Sequence, residues 1–137
     1  MDLEIKLSAA NLSSLSINIK DNSENLQLGV DESYTLTVDA TPSASLQSNT
    51  IWGALRGLET FSQLVQWSSD PQTQENIYSI PVSPIQITDS PRFQWRGVLL
   101  DSSRHYLSVA TIMRQLDAMS YNKFNILHWH FVDDESW

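Results

Sequence analysis

Apolar and polar residues alternate in three runs near the start of the chain: Leu3, Ile5 and Leu7; Leu15, Ile17 and Ile19; and Tyr34, Leu36 and Val38. Successive side chains of a strand point to opposite faces, so each run predicts a strand buried on one side. Two of the three are suited to a hairpin. Asp21 to Glu24 is polar and turn-like, and Thr41-Pro42-Ser43 breaks the strand before it. The period then lengthens to that of a helix from about Thr50 to Val65. Ile51, Leu55, Leu58, Phe61, Leu64 and Val65 form its apolar face, and Thr50 or Asn49 is its N-cap. Gly53 and Gly57 weaken this helix by roughly 1 kcal/mol each and in return let it approach a sheet closely. Ile77 to Ile80 and Ile85 to Ile87 read as short final strands, confined to an edge or a break by Pro81 and Pro84. Asp89-Ser90-Pro91 is the expected boundary, which makes residues 1–90 an α+β domain, a sheet with a packed helix.

The pattern changes after Pro91. Val98 to Leu100 and Ile126 to Val132 are short continuous apolar runs, as parallel strands buried on both faces require. Between them Val109, Ile112, Met113, Leu116 and Met119 recur at steps of three and four, on one face of a helix that Ser108 can cap. The sum is a strand–helix–strand unit over residues 91–137 in which each strand runs into a cluster of Arg, His and Asp. In barrels built of such units the chemistry lies at the carboxyl ends of the strands and the opposite face is structural. That rule assigns function to Arg104 and Asp133, which follow strand ends, and scaffolding to Arg96, which precedes one.

The side chains in these clusters allow more than one reading. A guanidinium stays charged and offers five donors in a fixed fork, so Arg104 can hold paired oxygens of a ligand. It can equally form a salt bridge to Asp101 or Asp133. His128 and His130 share one face of their strand and Trp129 takes the other. Asp133 or Asp134 is near enough to accept a hydrogen bond from a histidine and fix its tautomer. The His-x-His pair with a nearby Asp also resembles part of a metal site, which keeps a metal-dependent barrel hydrolase using His128 and His130 as an alternative. Trp129, Trp137 and Tyr106 could stack on the apolar face of a ligand, although such aromatics usually belong to a core. Arg56 and Glu59, at i,i+3 spacing, read as a surface or interdomain pair rather than as catalytic groups.

Composition narrows the field a little. The chain has 137 residues, 41% of them hydrophobic, with a formal charge of −8 that disfavours nucleic acid and anionic membranes as partners. It has no cysteine, so it carries neither a disulfide nor a thiolate site. No run approaches the roughly 20 apolar residues of a membrane span. Met1 leads directly into Leu3, Ile5 and Leu7 rather than into the basic and apolar regions expected of a secretory signal, and Asn11-Leu12-Ser13 is a possible glycan acceptor.

Four blocks, "DESYTLTV", "WGALRGLETFSQL", "RGVLLDSSRHYL" and "LDAMSYNKFNILHWHFVDD", resemble the family 20 glycoside hydrolases, the β-N-acetylhexosaminidases of the lysosomal and vacuolar type. The resemblance implies the small α+β domain of these enzymes over residues 1–90, followed by the first portion of an incomplete (β/α)₈ TIM barrel over residues 91–137. A whole barrel takes roughly 250 residues, so the chain is expected to be a fragment of a longer parent and inactive by itself. The parent would remove terminal N-acetylglucosamine or N-acetylgalactosamine from glycans, with retention, without a cofactor or metal. Its location would be lysosomal, vacuolar or extracellular, and a dimer is left open. The resemblance makes Arg104 the residue that holds the terminal sugar and Asp133 part of a relay behind the general acid, with the relay's histidine and the acid further along the family sequence. His130 is a less secure sugar-pocket residue. The reaction is substrate-assisted: the 2-acetamido oxygen attacks, an aspartate orients it, and an adjacent glutamate protonates the leaving oxygen. That Asp-Glu pair belongs to a later strand, and Asp134-Glu135 is not it. A non-catalytic sugar-binding or interaction module is the remaining alternative, opposed by the sheet edges that two barrel strands leave uncovered.

Overall fold

The computed structural model describes residues 12–40, 43–69 and 71–134. The run Leu3-Ile5-Leu7, Asn11, Thr41, Pro42, Glu135 and Trp137 lie outside the described residues. The chain divides into two compact units, Met1–Pro91 and Arg92–Trp137.

In the first unit, β1 (Ser14–Asp21), β2 (Tyr34–Val38), β3 (Ser43–Thr50) and β6 (Ile85–Asp89) form a four-stranded sheet in the order β1-β3-β2-β6. β1 runs parallel to β3; β2 is antiparallel to both β3 and β6. The alternating pattern acts as expected in β2, where Tyr34, Leu36 and Val38 are buried. Among the described residues β2 forms its hairpin with β3, and β1 pairs with β3 rather than with β2; a pairing of β1 with the Leu3-Ile5-Leu7 run lies outside them. β3 was not anticipated, because its buried positions are Ala44, Leu46 and Ser48, too small and polar to stand out. A separate hairpin of β4 (Gln66–Ser69) and β5 (Asn76–Ser79) stands beside Ile80, and β4 has no apolar alternation to announce it. β6 lies at an edge of the described sheet, where a proline-flanked strand is tolerated.

Helix α1 (Ile51–Leu64) covers one face of this sheet. Thr50 caps it, its hydroxyl accepting from the Gly53 N–H at 3.1 Å. The buried positions are Gly53, Ala54 and Gly57, while Leu55, expected on the apolar face, is 52% exposed. The contact line is set by the glycines. A Cβ on Gly53 would lie 2.3 Å from the Ser33 carbonyl oxygen, and one on Gly57 would lie 2.3 Å from Leu46 Cδ1. Leu55, about 100° round from Ala54, is turned away by that approach. Leu36, Leu46 and Val38 are the largest fully buried side chains, each stabilising the unit by about 1.5–3 kcal/mol. Tyr34 joins this core and satisfies its hydroxyl with Thr60 Oγ1 at 2.6 Å and Asp89 Oδ2 at 3.1 Å.

One sequence reading is corrected here. Arg56 does not pair with Glu59. Its Nε and Nη2 reach Glu32 Oε1 at 2.8 and 2.6 Å, whereas Glu59 accepts from Gln63 one turn on. Glu32 is buried ahead of β2, so the ion pair ties the helix to the entrance of the central strand. Beside it, Asp31 accepts from Asn49 and its carbonyl accepts from the Thr50 hydroxyl.

In the second unit, β7 (Gly97–Asp101) and β8 (Ile126–His130) pair in parallel, with α2 (Val109–Tyr121) between them in sequence. Ser108 caps α2 by accepting from the Thr111 N–H at 3.2 Å, and Asn122 ends it by donating from Nδ2 to the Ala118 carbonyl. Ile112 and Met119, two turns apart on one line, are buried with Leu100. Exposure rises away from that line: Leu116 is 38% exposed and Met113 55%, about 40° and 100° round the helix from Ile112. Val109 is 75% exposed. Thus the apolar stripe read from the sequence is only partly covered among the described residues.

Candidate active site

The two parallel strands end together. Asp101, the last residue of β7, is in register with His130, the last of β8, and the Ser102 N–H extends the ladder to the His130 carbonyl at 3.1 Å. The chain after β7 turns on the Asp101 carboxylate. Asp101 Oδ1 accepts from the backbone N–H groups of Ser103 at 3.0 Å and Arg104 at 3.1 Å, as short Asp side chains at turns do. Its other oxygen, Oδ2, accepts from Arg104 Nε at 2.6 Å. Arg104 Nε also lies 3.5 Å from Asp133 Oδ2, and Asp133 Oδ1 is 2.7 Å from His130 Nε2. Four groups therefore form one chain of contacts, Asp101–Arg104–Asp133–His130.

This arrangement has definite chemical capacities. An ionised carboxylate only accepts, so the short contact makes His130 Nε2 the protonated nitrogen. Arg104 is engaged through Nε alone; neither Nη group donates to a described residue, and its side chain is 62% exposed. The fork is thus held at its base and open at its tip, the form in which a guanidinium binds paired oxygens. Asp133 and His130 are about half as exposed as Arg104, at 34% and 33%, which still leaves them accessible to a solute.

The Arg104 backbone N–H holds the Asp101 carboxyl below its ordinary range; desolvation opposes it, and the Arg104 side chain and the Ser103 N–H lower it further. A group whose folded-state pKa lies below its unfolded value stabilises the fold above the unfolded value and ceases to do so as pH falls through the folded one. The turn after β7 should therefore persist at about pH 5 and open only below the ordinary carboxylate value of about 3.9. Amide chemical shifts of Ser103 and Arg104 followed against pH report this directly; a midpoint at or above about pH 4 would contradict it.

The remaining sequence candidates fall elsewhere. Arg96 sits at the opposite ends of the strands, where Nε donates to the Lys123 carbonyl at 2.8 Å and Nη1 to the Phe93 carbonyl at 2.6 Å. Its backbone exchanges further bonds with Asn125, a clamp in keeping with scaffolding. His128 lies opposite Leu99 in mid-sheet, exposed, two residues from the cluster. Among the described residues no group of three His, Cys, Asp or Glu side chains could hold a metal ion. Trp129 donates from its indole to Ser102 Oγ at 2.8 Å and meets Phe131 edge-on, while Tyr106 is 88% exposed. Asp134 is exposed and outside the contact chain. Asp101 entered the sequence reading only as one possible ion partner. Its signal was the spacing Asp-x-x-Arg at a strand end, where a turn-capping carboxylate can reach the arginine three residues on.

Known proteins resemble both units. Residues 4–64 match the family described as "beta-acetyl hexosaminidase like", and residues 93–137 match the catalytic domain of glycosyl hydrolase family 20. The β-hexosaminidase subunit beta of Mus musculus is 50% identical over 123 residues, covering 89% of this chain and 22% of the relative. Subunit B1 of the Dictyostelium discoideum β-hexosaminidase is 45% identical over 133 residues, 96% of this chain and 23% of the relative. Among solved structures, the Flavobacterium johnsoniae chitobiase superposes with a TM-score of 0.73 at 43% identity, covering 90% of this chain and 17% of that one. An exo-β-N-acetylglucosaminidase of Vibrio harveyi, solved in complex with N-acetylglucosamine, gives 0.65 at 30% identity, covering 89% of this chain and 17% of that one. The chain thus spans less than a quarter of the length of these relatives. Both units point the same way, and the chain belongs to glycosyl hydrolase family 20, joining that family's β-hexosaminidase-like first domain to the start of its catalytic domain.

Proposed function

We propose that the full-length protein carrying this segment is a retaining exo-β-N-acetylhexosaminidase that removes terminal N-acetylglucosamine or N-acetylgalactosamine from glycans. In this reading residues 1–90 are the family's small α+β domain and residues 91–137 open its (β/α)₈ barrel, so the carboxyl ends of β7 and β8 face the sugar. The reading rests above all on one observation: Arg104, Asp133 and His130 converge at the carboxyl ends of two parallel strands. Arg104 binds the sugar hydroxyls with its free fork. Asp133 stands behind the general acid, and its charge supports the cation that forms when a histidine shares the proton. His130 holds Asp133 in place and contributes to the wall of the pocket. The acid and the aspartate that orients the acetamido group come from residues beyond 137, so the 137-residue chain alone turns over no substrate. A lysosomal, vacuolar or extracellular location goes with this reading.

The test is Arg104→Lys in the full-length protein with a chromogenic N-acetylglucosaminide. A charged hydrogen-bonded contact is worth roughly 1.5–3 kcal/mol, so loss of the fork should lower kcat/KM by about tenfold or more while folding survives. Arg96→Lys is the control, because Arg96 Nε and Nη1 bond backbone carbonyls at the far end of the strands. It should lower thermal stability and spare kcat/KM. Impaired catalysis in stably folded Arg96→Lys with normal catalysis in Arg104→Lys would reverse the active end of the sheet.

A further inference from the structure

Asp101 does two things with one carboxylate: Oδ1 closes the turn after β7 by accepting two backbone N–H groups, and Oδ2 takes Arg104 Nε at 2.6 Å. Arg104 Nε lies much farther from its other acidic neighbour, 3.5 Å from Asp133 Oδ2, and Asp133 spends its short contact on His130. The two carboxylates compete for one guanidinium, and distance says that Asp101 wins. We propose that Asp101 is a positioning residue that holds Arg104 by its Nε, leaving both Nη groups for the sugar and Asp133 for His130. The proposal rests on the reading of Arg104 as the sugar-binding residue. Without Asp101, a mobile guanidinium of 62% exposure has Asp133 as its nearest acidic partner among the described residues, and closing on it would occupy the fork. Asp101 would then act on catalysis only through Arg104, without touching substrate.

Asparagine separates its two tasks. Asp101→Asn keeps an oxygen for the Ser103 and Arg104 N–H groups but presents an amide donor where Nε needs an acceptor. In the full-length protein KM for a chromogenic N-acetylglucosaminide should rise about tenfold, with kcat changed less. A double-mutant cycle reads the coupling. If Asp101 works through Arg104, Asp101→Asn/Arg104→Lys should be no worse than Arg104→Lys alone. Thermal unfolding of each variant is followed in parallel, and Asp101→Ser, which keeps a turn-capping oxygen and removes the carboxylate, repeats the cycle should asparagine reduce the folded yield. An unchanged KM in folded Asp101→Asn, or effects of the two substitutions that simply multiply, would overturn the proposal. Failure of the functional reading itself looks different, since Arg104→Lys would then be without effect.

Discussion

Alanine in place of Glu32 is expected to cost the first unit about 3–5 kcal/mol, the loss typical when one partner of a buried ion pair is removed. The Arg56 side chain is 17% exposed and that of Glu32 7%, so neither water nor salt screens the pair as it would on a surface. Arg56 Nε and Nη2 both lose Glu32 Oε1, and the guanidinium stays behind as a largely buried charge without that partner. Since small domains are stable by only about 5–15 kcal/mol, a large part of the margin is at stake. Replacing both residues with apolar side chains of similar volume should cost much less, because no orphan charge remains. Denaturant midpoints measured by tryptophan fluorescence decide between them. A loss below about 1 kcal/mol for Glu32→Ala would mean that the pair behaves as an exposed one.

The second large effect belongs to Asp133. Asp133→Asn in the full-length protein should lower kcat by about a hundredfold, the lower end of what proton transfer by a positioned group contributes. The amide is nearly isosteric, so the strand exit keeps its shape. What changes is charge: the contact to His130 Nε2 loses its anionic acceptor, and Arg104 loses a neighbour at 3.5 Å. Because Arg104 keeps Asp101, KM should move much less than kcat. A normal kcat would return Asp133 to the role of a loop-capping acid. A rise in KM with kcat intact would instead make it a second sugar contact.

Both units were legible where one element's pattern was enough. The period of two marked β2, the period of three to four marked both helices, and Thr50 and Ser108 announced their caps. Partners across the chain were harder to read. β3 stayed hidden because its buried Ser48 fits against Gly53 and its buried Ala44 against the cluster of Val38, Ile80, Phe61 and Leu64, partners that come from elsewhere in the chain. Spacing named Glu59 as the neighbour of Arg56 on its own helix but could not weigh it against Glu32, 24 residues away. At the candidate site the strand-end rule singled out Arg104 and Asp133 as candidates, and charge made the contact between them conceivable. What it could not rank was Asp101 against Asp133, since that depends on how tightly the chain turns after β7.

A crystal structure of the full-length protein with N-acetylglucosamine bound tests the central claim most directly. The account predicts the sugar at the carboxyl ends of β7 and β8, its hydroxyls taken by the Nη groups of Arg104, whose Nε remains on Asp101, with Asp133 alongside. A sugar bound at the other end of the strands, beside Arg96, or one that leaves Arg104 without contact, would contradict it.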